Sequence, residues 1–202
     1  MKNINRYIVE KLRINKSKLK VGTEYTLFPK SRPELIDMIK EETKKNGNNC
    51  SLNHIDVSNI ESLSFVFNEA NKKFNGDISE WDVSKVRDMS SLFMDTEFNG
   101  DISEWDVSNV EEMSWMFQDS KFNQDISMWD VSNVRLMTEM FDGSIFNQPI
   151  GKWNVRNVRE ATFMFSRSKF NQDISTWNLL NCNSVGIFSG CPIKEKYKPQ
   201  RI

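Results

Sequence analysis

Apolar residues recur along this chain in an order that repeats every 24 positions. In FNGDISEWDVSKVRDMSSLF (74–93), the apolar positions include Phe74, Ile78, Trp81, Val83, Val86, Met89 and Phe93, with mostly polar residues between them. The Trp81 position returns as Trp105, Trp129, Trp153 and Trp177, and that of Phe74 as Phe98, Phe122, Phe146 and Phe170. Trp81 and Val83 alternate as inward residues of a short strand would. Val86, Met89 and Phe93 then follow at i, i+3 and i+7, which predicts a short helix. Ser84, Ser108 and Ser132 stand where an N-cap belongs, and Ser108 with Glu111 spells a capping box. A fixed period of this length implies a copied unit too small to bury its own apolar face, so that the units must stack. The expected fold class is therefore α/β: a solenoid of about six 24-residue repeats, with short parallel strands spaced ~4.8 Å apart and short helices. The five tryptophans form the axis of its core, since each buried indole removes roughly 150–250 Å² from water.

The first unit, LNHIDVSNIESLSFVF (52–67), is degenerate and reaches the next through two extra residues, as a terminal repeat does when its outer face has no neighbour. At the far end, Phe188 takes the Phe93 role only if one residue is deleted. The organisation expected is an amphipathic helix over 1–20, a cap of strand and helix over 21–50, the solenoid over 51–190 and a polar tail over 191–202. Within the cap, VGTEYTLF (21–28) has strand-like composition. Ser31 caps a helix running to about Lys45, with Pro33 and Glu34 in its first turn and Asn46-Gly47 as its stop. Leu35, Ile36 and Ile39 should face the first repeat.

Charge alters the picture of the two halves. Residues 1–50 carry 12 Lys/Arg and 6 Asp/Glu, whereas the remainder carries 15 and 22, for a net charge of −1. An acidic main body argues against a nucleic-acid ligand. Three cysteines without metal-type spacing suggest a reducing compartment. No run of 18 apolar residues is present to span a membrane, and the opening residues lack a secretory h-region. The expected location is cytoplasmic.

The text F-N-[GQ]-D-I-S-x-W-D-V-S-x-V-x-x-M-x-x-[LM]-F, cleanest at 74–93, 98–117 and 122–141, resembles the BspA-like leucine-rich repeat proteins, a bacterial surface protein repeat also called mycoplasma-type lipoprotein. Ile78-x-x-Trp81-x-Val83 fits their L-x-x-L-x-L skeleton. The resemblance covers roughly two thirds of the chain. It implies a surface adhesion or interaction protein without enzymatic activity, and the cell surface as an alternative location. The opening KNINRYIVEKL loosely resembles the beginnings of proteins from gut bacteria and their phages.

Candidate chemistry is sparse. Two acidic columns, Asp77/Asp101/Asp125/Asp173 and Asp82/Asp106/Asp130, could suggest Ca²⁺. Pro149 interrupts the first and Asn154 and Asn178 the second, so backbone hydrogen bonding is the better role and no metal is expected. The Asn75 column reads as an amide ladder. His54 is the only histidine, and nucleotide, zincin and nucleophile motifs are missing, so neither catalysis nor a cofactor is expected. What remains is the outward side of the strand ladder, where Glu80, Asp82, Glu104, Asp106 and Asp130 give way to Lys152, Arg156 and, on the following helix, Arg159. Trp115 and Phe163 occupy a position that other units leave polar. They either pack between units or form an exposed aromatic patch. The reading is a monomeric, non-enzymatic protein–protein interaction module that binds a protein partner through these residues. The alternative is a structural or assembly component of a phage particle or cell-envelope complex.

Overall fold

The computed structural model describes residues 24–200. It opens with helix α1, Arg32–Asn46, where the sequence places one. The Ser31 hydroxyl accepts from the Glu34 amide, and Gly47 ends the helix at φ 84°, where a side chain would be strained. Leu35, Ile36 and Ile39 are buried in the common core. A five-residue helix α2, Val66–Ala70, closes the degenerate first unit. Arg32 ties α1 to this region through the Ser64 carbonyl at 2.5 Å and Glu69 at 3.2 Å.

The repeats depart from the expected α/β solenoid. Among the described residues there are only these two α-helices, one 3-10 turn at Glu195–Tyr197 and no β-strand or sheet. The chain is low in regular secondary structure, and the strand–helix leucine-rich-repeat unit is absent. Bridges between units are isolated and parallel, at Ser51–Asp77 and Ser62–Asp88 between the first two units and then singly at Asp88–Glu112, Glu112–Leu136, Leu136–Glu160 and Glu160–Asn183. The final step is one residue short, which accommodates the deletion before Phe188. The strand expected over Ile78–Val83 is instead a turn closed by the Trp81 amide on the Ile78 carbonyl. Of the strand expected over 21–28, the described part makes a single bridge, Leu27–Ile55. The expected amphipathic helix over 1–20 lies outside the described residues.

Left-handed residues explain why neither strand nor helix propagates. Each clean unit carries two, at Ser91 and Asp95, then Trp115 and Asp119, all with φ between 51° and 58°. In later units the second place falls to Gly143 and Gly190, and Gly186 takes the first place in the last unit. Two left-handed residues four positions apart break both an extended run and a helical one where they fall. The amides of Met89, Ser91, Phe93 and Asp95 therefore donate to carbonyls of the next unit, Glu112, Ser114, Met116 and Gln118, rather than back along a helix. Val86, Met89 and Phe93 still point inward, because consecutive tight turns bury the same positions.

The five tryptophans of the repeat column are each 4% exposed, and Trp81 stacks on Trp105 and Trp153 on Trp177 with ring centroids 6.4 Å apart, at interplanar angles of 3° and 8°. The indole N–H groups of Trp81, Trp105, Trp129 and Trp153 donate to carbonyls of the preceding unit at 3.0–3.2 Å. The two Phe columns stack beside them, Phe93–Phe117–Phe141–Phe165 at 5.6 Å and Phe98–Phe122 at 6.3 Å. Asn75, Asn99, Asn123 and Asn147 each accept, through Oδ1, the backbone N–H of the next asparagine in the column at 2.8 Å. These bonds satisfy backbone donors that a sheet would otherwise have to pair.

Candidate functional site

Two tight Asx turns shape the outward side of every clean unit. In D-I-S, the Oδ1 atoms of Asp77, Asp101, Asp125 and Asp173 accept the amide two residues on, at 2.8–3.0 Å. In D-V-S, Asp82, Asp106 and Asp130 do the same at 3.0–3.2 Å. Hydrogen bonds from serine hold two of these carboxyls below their ordinary pKa, from the amide and then the hydroxyl of Ser127 at Asp125, and from the hydroxyl and then the amide of Ser175 at Asp173. The serines expected to cap helices are instead the donors of these turns: Ser108 directs both its amide and its hydroxyl to Asp106, and Glu111 makes no capping box. Among the described residues, no group of three or more His, Cys, Asp or Glu is placed to hold a metal.

Within each turn the buried Trp81 and Val83 flank the outward Asp82, and the pattern repeats at Trp105–Val107 and Trp129–Val131. Glu80 is partly exposed, whereas Asp82, Glu104, Asp106, Asp130, Lys152 and Arg156 are exposed. They lie on one side of consecutive units, with carboxylates in the earlier units and cations in the unit of Lys152. Met128, in the unit between, is 80% exposed. Trp115 and Phe163 belong elsewhere, in the left-handed column beside the bridges, at 37% and 41% exposure. Phe65 shares that column. The Phe163 ring lies so close over Gly186 that a Cβ there would meet it at 2.3 Å, so this aromatic packs partly against the next unit.

A further group was not singled out from the sequence. Asp142, 4% exposed, accepts from Arg167 Nε at 3.1 Å and pairs with its Nη2, and Gln118 lies at 3.5 Å. Burial alone would raise the Asp142 pKa, but hydrogen bonds from Arg167, Ser166 and Gln118 outweigh it and hold the carboxyl below its ordinary value. Burial, aided by Glu160, pushes the Cys182 thiol up to about 11, which leaves it a protonated, unreactive group at neutral pH. No enclosed pocket of convergent acids and bases accompanies these residues among those described.

The recurring text defines a repeat protein whose 24-residue units share the same turns. Residues 34–144 and 118–196 match the family described as "Mycoplasma protein of unknown function, DUF285", and the chain belongs to that family. Neither a curated protein nor a solved structure matches it. Among the described residues, no helix is long and apolar enough to cross a membrane.

Proposed function

We propose that this chain is a non-enzymatic protein–protein interaction module that docks a partner on the outward side of its stacked units. One observation carries the reading: side chains in register on that side change sign along the stack, from Glu80, Asp82, Glu104 and Asp106 to Lys152 and Arg156. A scaffold of stacked aromatic rings holds them at fixed intervals, which suits recognition of an extended surface. Opposed charges distributed this way impose a direction on the partner and speed its encounter. The resemblance to BspA-like surface proteins is in keeping with such a role. The module acts as a monomer with one partner per chain.

Affinity capture with the full chain and with Glu104→Lys tests this. Glu104 is exposed and, unlike Asp106, caps no turn, so stability should stay within about ±0.5 kcal/mol. Partner recovery should fall. Unchanged recovery at one-to-one stoichiometry would exclude this side of the stack. Recovery of many copies of the chain itself would replace the recognition reading with a structural one.

A further inference from the structure

One column on the flank of the stack follows an alternation and then breaks it. Glu61, Arg87, Glu111, Arg135 and Arg159 succeed one another one unit apart, each amide from Arg87 onward donating to the carbonyl of the residue before it at 2.8–2.9 Å. Where the alternation holds, the Glu111 carboxylate sits between two guanidiniums, 3.0 Å from Arg87 and 3.4 Å from Arg135. The next place calls for a carboxylate and holds Arg159 instead, followed by the neutral Asn183. Among the described residues the Arg159 side chain forms no ion pair. Two like charges are thus left adjacent, and Arg156 adds a third.

These three arginines line a hollow of about 460 Å³ together with Asn133, Asn157 and Asn181. Asn133 and Asn157 donate their side-chain amides to Ser108 and Ser132 carbonyls at 2.7 Å. Asn181, next in that column, makes no such bond among the described residues, so its donor is available to a ligand. One unit earlier, a smaller hollow of about 200 Å³ has the same build, and there Glu111 supplies the anion from within the chain.

We propose that the hollow between Arg135, Arg156 and Arg159 binds a carboxylate presented by an acidic segment of a protein partner, which takes the place the missing glutamate leaves. The Glu111 arrangement shows the chemistry that fits: one carboxylate shared by two guanidiniums. Inorganic phosphate shares that chemistry and competes for the site. The proposal rests on the interaction-module reading and names where and by what group the partner is held.

The test is fluorescence anisotropy of a labelled hexaglutamate peptide on the full chain at low salt. Arg159→Glu, which completes the alternation, should weaken the peptide about tenfold or more while raising the melting temperature. Lys169→Glu makes the same charge change elsewhere and should alter binding by less than about twofold. If Arg159→Glu perturbs folding, Arg159→Gln serves in its place, with the same direction expected for binding. Displacement of the peptide by phosphate supports the shared oxyanion chemistry. Equal weakening in the Arg159 and Lys169 variants would reduce the effect to net charge and overturn the site, as would phosphate binding without peptide binding. Partner capture that survives Arg159→Glu would remove the hollow but leave the module reading intact.

Discussion

Asp142 shows how a single buried charge is made tolerable here. An isolated carboxylate taken from water would be costly, but the Arg167 fork, Ser166 and Gln118 supply donors to it. Its pKa is depressed in the fold, so the stability it contributes is complete above the ordinary aspartate value of about 4. That stability is lost as pH falls through the depressed native value. Chemical denaturation at pH 7 and near pH 3 should therefore show a smaller acid loss for Asp142→Asn than for the parent chain. Equal losses would mean that other carboxylates carry the acid sensitivity.

The turn, rather than the strand or the helix, is the working element of each repeat. Ser91 shows what it demands: φ is 53°, exposure is 1%, and its hydroxyl has no hydrogen-bond partner among the described residues. Ser91→Gly should relieve both the left-handed strain and the unsatisfied hydroxyl, offset in part by the entropy of glycine, for a gain of about 1 kcal/mol in denaturant unfolding. A loss would show that the side chain contributes packing that outweighs the strain. The apolar columns, α1 and its caps were legible in the sequence, because burial and capping leave local marks. The backbone between the columns was not. Spacing of i, i+3, i+7 at Val86, Met89 and Phe93 is common to a helix and to consecutive tight turns. The available signal was glycine: Gly143 and Gly190 in one column and Gly186 in another mark the left-handed places that serine, aspartate and aromatics fill elsewhere. The outward acidic and basic residues could be read by alternation, since Asp82 lies between the buried Trp81 and Val83 whether the segment is extended or turned. The Arg159 break was also present in the spelling Glu61, Arg87, Glu111, Arg135, but its meaning needed the neighbouring hollow.

At the scale of the whole molecule, cohesion passes from unit to unit through indole N–H bonds, asparagine rungs and stacked rings. Units arranged this way behave as nearly interchangeable segments whose stabilities add through their shared faces. Their end units differ, with α1 and the degenerate first unit at one end and the shortened Glu160–Asn183 step at the other. Interchangeability also frames function, because it allows charge to vary from unit to unit while the scaffold stays fixed.

The most direct measurement is thermal unfolding of two internal deletions. Removing 98–121 takes out one whole 24-residue period and joins Glu97 to Phe122 in the context that Phe98 had. Register-preserving stacking predicts a folded chain with a single cooperative transition at a lowered melting temperature. Removing 98–109, half a period, should abolish that transition, since every later indole would fall out of its column. Similar behaviour of the two deletions, whether both fold or both fail, would contradict the stack.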